Sequence, residues 1–290
     1  KKVWNIVLTI LMLIIIFSVN VYADIGPKPS VTLEFEGLEK ETYYVTLLSK
    51  TQSTGPYSTS DEPINQDNWQ VENDVELGIS AWQAFRDYQD EDGFYFIEYF
   101  KKSNQANNFE WGYYPPEVFK ILLYFPENDS YLVSDIYERY AFDSYFSVKV
   151  NYSGGMKALI AEQKYDYTWE MISLVARITA TVILELLIAL CFGIKKKKLL
   201  LLITLTNVFT QCVLNILLNL FNYADGSLAF TFHYIWMEIV VFVIEAILFT
   251  KMFKKNGIDK NWIPVGYALA ANAFSFIVGM FIANIIPGVF

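Results

Sequence analysis

Two carboxylates and two amides sit inside long apolar stretches where a hydrocarbon-facing helix has no use for them: Glu185, Asn207, Glu245 and Asn272. An ionisable group in a membrane span costs about 3 kcal/mol on insertion scales, so it faces a partner or an aqueous path. The four fall into two matching hairpins. The first reads Leu184-Glu185-Leu186, a lysine loop, then Asn207-Val208-Phe209-Thr210; the second reads Ile244-Glu245-Ala246, a lysine-containing loop, then Asn272-Ala273-Phe274-Ser275. Each puts Glu in one span and Asn-x-Phe-Ser/Thr in the next, in the same direction, as a duplication about an axis along the membrane normal would. Counted from the lysine loops at 1.5 Å per residue, Glu185, Asn207, Glu245 and Asn272 lie about 15, 14, 9 and 18 Å deep, close enough to meet. Two carboxylates sharing such a site do not both ionise readily, and a proton or a cation would balance the charge.

Gln211 and Asn215 continue the face of Asn207 at four-residue spacing, an amide stripe that serves equally as interhelical hydrogen bonding or as the wall of an ion path. Ala271, Ser275 and Gly279 give a small-x-x-x-small packing face. Arg177 and Glu238 lie farther from the lysines, about 27 and 20 Å, and are predicted to form a structural ion pair. His233 is the single histidine, and no HExxH, Walker A, GxGxxG or GxSxG pattern occurs. A zinc, nucleotide-driven or serine-hydrolase site is therefore not expected; no catalytic residue, metal or cofactor is assigned. An intramembrane acid–base pair of Glu185 and Glu245 has only the two carboxylates behind it.

The elements that must hold these residues are four apolar spans, about 169–194, 199–222, 232–253 and 262–284. Each exceeds the roughly 20 residues that cross a bilayer. Lys195–Lys198 and Lys254–Lys260 would lie in the cytoplasm and the 222–232 connection outside, with Trp169, Tyr223, Tyr234 and Trp236 at the outer interface.

Upstream, residues 24–168 carry 25 acidic and 11 basic side chains, whereas the rest of the chain carries 6 and 11. An acidic exported segment beside positive inner loops follows the positive-inside rule, and nothing basic is clustered to follow nucleic-acid phosphates. Both cysteines, Cys191 and Cys212, are in apolar spans, so this segment has no disulfide framework. Lys1-Lys2, an apolar run to Phe17 and Val21-Tyr22-Ala23 have the pattern of a signal peptide over residues 1–23, with cleavage expected after Ala23 and a retained N-terminal anchor as the alternative.

Aromatic, β-branched runs at 31–35, 43–48, 94–100, 119–125, 131–133 and 145–150, parted by Gly and Pro turns, predict a mainly-β, antiparallel sandwich-like domain. One helix is predicted over 77–88, with Ser80 as a candidate N-cap. Three segments there suggest function. Asp87 to Gly93 resembles a calcium loop, but with Gly93 at the sixth position the first and twelfth are Tyr88 and Tyr99, so a solvated acidic turn is the better reading. Trp111-Gly112-Tyr113-Tyr114-Pro115-Pro116 suits core packing and a rigid turn better than a peptide- or sugar-binding rim. Asp24-Ile25-Gly26-Pro27-Lys28-Pro29-Ser30 is a stiff spacer more than a recognition element.

With Tyr43-Tyr44-Val45-Thr46-Leu47-Leu48-Ser49 and Ser53-Thr54-Gly55-Pro56, that Asp-Ile-Gly-Pro-Lys-Pro-Ser start resembles an uncharacterised family of signal-peptide-bearing Gram-positive membrane proteins. The resemblance implies a layout and no activity. The expectation is therefore a non-enzymatic, multi-pass protein of the cell membrane, with residues 24–168 extracytoplasmic and an all-α four-helix transmembrane domain over 169–290. Ligand binding, sensing or assembly of a membrane complex ranks just ahead of a transporter or permease subunit using the Glu/Asn site. Its partners would be the lipid bilayer and a second copy or another membrane subunit, with no nucleic acid.

Overall fold

A computed structural model describes residues 26–38, 41–62, 75–103, 107–153, 156–165, 167–260 and 262–285. The expected signal peptide, Asp24, Ile25 and the side chain of Trp169 lie outside what is described. The chain divides into two compact units, residues 28–166 and the helical remainder from 167 onward.

In the first unit the strands are β1 (Ser30–Glu36), β2 (Tyr44–Ser49), β3 (Lys101–Lys102), β4 (Asn108–Trp111), β5 (Val118–Phe125), β6 (Ser130–Glu138), β7 (Asp143–Ser153) and β8 (Met156–Gln163), with one helix, α1 (Val75–Asp87). They form a single eight-stranded sheet in the order β3-β2-β5-β6-β8-β7-β1-β4. The sheet is mixed where an antiparallel sandwich was predicted. β1 runs parallel to β7, from Ser30 opposite Asp143 to Glu36 opposite Lys149, and β6 meets β8 in parallel at Ser134 and Leu159. Alternation of apolar and polar residues reports which face is buried but not which strand lies alongside, so the parallel pairs had no signal.

The sheet curls until its two edges approach. Lys101 Nζ in β3 donates to the Glu110 carbonyl in β4 at 2.8 Å, and Tyr99 packs on Trp111 with tilted rings, their centroids 4.2 Å apart. Seven strands point side chains into one core: Val31, Leu33 and Phe35 of β1 meet Val45, Phe109, Trp111, Ile121, Leu132, Phe146 and Leu159. On the outer face, Ala81 and Phe85 of α1 cover Tyr44, Leu48, Leu122 and Tyr124. Covered on both sides, β2 is buried at all six positions, which explains why it carries apolar residues on both faces.

Three expectations are corrected here. Residues 94–100 pack on the sheet but form no strand: their ladder pairing is a single bridge from Tyr95 to Ser49, and Glu98 takes a positive φ of 62° that ends any strand. α1 is already underway at Val75, so Ser80 is interior and not its N-cap. Strands β3, β4 and β8 were not foreseen.

The second unit contains α2 (Thr168–Cys191), α3 (Lys197–Lys255) and α4 (Trp262–Ile285). All three are long and apolar enough to cross a membrane, with mean hydropathy of 2.2, 1.9 and 1.8 over their spanning parts. Their outward surface is apolar, as with Ile183, Phe209, Ile216, Leu269 and Phe281, while Arg177, Glu185, Asn207, Gln211, Glu245 and Asn272 are buried. A water-soluble bundle has the opposite pattern.

At 59 residues, α3 is two spans joined without a loop. Gly226, at φ 83° and ψ −179°, reverses the helix in one residue, a backbone state essentially confined to glycine. The arms 197–225 and 227–255 then lie side by side. Phe221 stacks on His233 at 3.8 Å, and Leu214 and Leu218 pack with Phe230, Tyr234 and Val241. The predicted 222–232 connection is therefore helical, and the four expected apolar segments are all helical. At the other end Lys196 Nζ donates to the Asn256 carbonyl at 2.5 Å, so both lysine loops share one end of the bundle.

Candidate functional site

Four-residue spacing lines Ser173, Arg177, Thr181 and Glu185 along one buried face of α2. The second arm of α3 presents Tyr234, Glu238 and Glu245 in the same way, the first arm Asn207, Thr210, Gln211 and Asn215, and α4 Asn272 and Ser275. The bundle thus turns a polar interior to itself and an apolar exterior to its surroundings.

At the centre are the two carboxylates. Asn207 Nδ2 donates to Glu185 Oε2, and Tyr267 Oη donates to the same oxygen at 3.0 Å. Asn272 Nδ2 donates to Glu245 Oε2 at 2.7 Å, and Thr210 Oγ1 to Glu245 Oε1 at 2.9 Å. Each carboxylate is therefore held by two side-chain donors from other spans, and Glu185 and Glu245 interact electrostatically with each other.

The two hairpins share more than composition. Asn207 Nδ2 also donates to the Ile203 carbonyl at 3.0 Å, and Asn272 Nδ2 to that of Ala268 at 2.9 Å, four residues back in both. Thr210 Oγ1 reaches the Asn207 carbonyl at 3.2 Å, and Ser275 Oγ the Asn272 carbonyl at 3.1 Å. Phe209 and Phe274 both point outward. Two short sequence matches can arise by chance, but here the same Glu–Asn bond and the same two local bonds recur in each hairpin.

On the lysine side of the carboxylates the interior becomes dry. Ala189, Ile194, Leu199, Ile203, Phe249, Phe253, Tyr267, Ala268 and Ala271 close into one apolar cluster between them and the lysine loops.

Of the residues singled out from sequence, Glu185, Asn207, Glu245 and Asn272 are joined by hydrogen bonds, directly or across one residue. Gln211 is buried on the same stripe, but it accepts from Asn215 Nδ2, at 2.8 Å through its carbonyl and 3.4 Å through Oε1. Arg177 and Glu238 are brought together around Tyr234. The guanidinium lies over the Tyr234 ring, 5.5 Å from its centroid, and the Tyr234 hydroxyl bonds Glu238. Arg177 Nε and Nη2 and Glu238 Oε2 have no hydrogen-bond partner among the described residues, so the expected direct ion pair is not formed and Tyr234 is instead the residue that touches both.

Sequence reasoning missed Tyr267, Ser173 and Thr181. The last two had a signal, the four-residue spacing with Arg177 and Glu185. Tyr267 had none, since an aromatic residue in an apolar helix reads as filler.

In the β unit, the acidic turn already contains a cation. Lys120 Nζ, from the outer face of β5, donates to Asp90 Oδ1 at 2.8 Å and lies 2.5 Å from Asp92 Oδ2. Asp90 Oδ2 also accepts from the backbone N–H groups of Asp92 and Phe94, at 3.0 and 3.2 Å. Burial alone would lower the pKa of the Lys120 ammonium, but the hydrogen bonds and charges of Asp90 and Asp92 outweigh it and hold the value above its ordinary 10.5. The turn is neither a calcium loop nor a freely solvated one. The aromatic stretch divides as well: Trp111, Pro115 and Pro116 are buried, while Tyr113 and Tyr114 are exposed at the surface.

No protein-family model, curated protein or solved structure matches the chain.

Proposed function

We propose that this chain is an integral membrane protein whose helical unit takes up and releases a proton, or a small cation in its place, at the Glu185/Glu245 site. The β unit would stand on the face of the membrane opposite the lysine loops. The observation that carries this reading is the gathering of two buried carboxylates, each bonded by the asparagine of the neighbouring span, above an apolar floor. An interior needing only adhesion would be served by amides; a pair of carboxylates adds charge that must be neutralised. Thr210 has one hydroxyl proton for two acceptors, the Asn207 carbonyl and Glu245. A protonated Glu245 could donate to Thr210, freeing the hydroxyl for Asn207, so the network accommodates both charge states.

The test is proton flux into liposomes carrying the purified full chain under an imposed potential, followed by an entrapped pH-sensitive dye. The wild type should acidify the lumen, and Glu185→Gln with Glu245→Gln should abolish flux while leaving the folded fraction unchanged. Undiminished flux in the double variant would refute the reading, as would a wild type no leakier than empty liposomes. Exposed Tyr113 and Tyr114, in edge-to-face contact with Lys28 over the Tyr114 ring, favour a second reading in which the β unit binds a ligand.

A further inference from the structure

Beside the carboxylate pair, the helical unit buries a second polar group whose bonding is incomplete. Ser173 Oγ, Arg177 Nε, Arg177 Nη2 and Glu238 Oε2 are all inaccessible to solvent and have no hydrogen-bond partner among the described residues. Their side chains belong to residues at least nine-tenths buried. An unmet buried donor or acceptor costs about 1–3 kcal/mol, more when charged, and four together in one neighbourhood is far from the native norm.

The identity of the open atoms is informative. One face of the Arg177 guanidinium lies against the Tyr234 ring. Nε–H and Nη2–H are the two parallel donors along one edge of that plane, the fork that fits the two oxygens of a carboxylate. Ser173 stands one helical turn away on the same face of α2 and offers a third donor. Glu238 offers the opposite, a buried carboxyl acceptor, bonded by Tyr234. Gly279 of α4 lets the Tyr234 hydroxyl come this close to the helix, since a Cβ at that position would fall on it.

We infer that Ser173, Arg177 and Glu238 form a binding site for a small amino-carboxylate zwitterion, its carboxylate on the arginine fork and serine hydroxyl and its ammonium on Glu238. A zwitterion meets both kinds of open atom and leaves the net charge of the buried group unchanged. A simple anion leaves Glu238 unmet, and a simple cation leaves Arg177 unmet. Its test is separate from that of proton uptake at Glu185 and Glu245.

The test is calorimetric titration of the full chain in lipid nanodiscs with glycine, acetate and methylammonium as probes. Glycine should bind saturably, at least tenfold more tightly than either single-charge probe. Arg177→Lys, which keeps the charge but loses the fork, should weaken glycine at least tenfold, and Glu238→Gln should weaken glycine without strengthening acetate. Because an Arg177 variant can fail to fold, Ser173→Ala is the second probe, and it should weaken glycine several-fold in a protein of unchanged melting temperature. Absence of saturable glycine binding to the folded wild type would overturn the assignment and leave a water-bridged pair. Acetate binding as tightly as glycine, or glycine affinity unchanged in both Arg177→Lys and Ser173→Ala, would overturn it too.

Discussion

Lys120 and Asp90 show how one residue can settle what a loop is for. With side chains 6 % and 1 % exposed, they form a buried pair, and breaking it leaves a charge without compensation. Lys120→Met is expected to cost about 3–5 kcal/mol, as for other broken buried pairs. Adding Asp90→Asn should recover more than half of that, measured by urea titration of the solubilised chain. The pH dependence has a definite sign. The ammonium's folded pKa is raised, so its contribution is complete below pH 10.5 and is lost as pH climbs above that value. Calcium should leave the melting temperature unchanged, because the lysine occupies the place an ion would take. From sequence, the acidic residues of this turn were visible and Lys120 was not. It lies 30 residues away from Asp90 in the chain, and only the pairing of β5 beside the turn brings it there.

At the scale of elements, the hairpin in α3 depends on Gly226. Gly226→Val places a β-branched side chain at φ 83°, where the cost is of order 1–3 kcal/mol, and should open the reversal. Disulfide cross-linking between Phe221→Cys and His233→Cys, with Cys191 and Cys212 replaced by serine, reports this directly. It should be efficient with Gly226 present and fall sharply in the valine variant. The four spans were legible because a 20-residue apolar run has few alternatives in water. The loop between spans two and three was misread because Asp225, Gly226 and Ser227 have the composition of a turn. In the fold a single glycine turns the chain, and its neighbours stay helical. The β strands were legible where alternation was strong, as in β1, and not where a strand is four residues long, as in β4.

For the whole molecule, the shared position of both lysine loops predicts sidedness. In intact cells, cysteines introduced by Lys196→Cys and Gly257→Cys should be shielded from an impermeant thiol reagent, and one introduced by Tyr113→Cys should react. Labelling of the lysine loops from outside would reverse the proposed orientation. Four spans enclosing one polar interior make a slender unit, and association with a second copy or another membrane subunit is proposed on that ground. Its check is the mass of the detergent-solubilised particle by light scattering.

Composition, hydropathy and charge were enough for an acidic β-rich segment, four apolar spans and the residues worth watching, because each of these is a local property of the chain. The register of the sheet, the closing of its edges, the lysine in the acidic turn, the tyrosine between Arg177 and Glu238 and the bond from Tyr267 to Glu185 came from packing. They join residues tens of positions apart, and no local preference records which distant segment will lie alongside. The Glu–Asn repeat falls between the two. Its letters are in the sequence, but the same hydrogen bonds appearing in both hairpins required helices packed so that each asparagine could reach its glutamate.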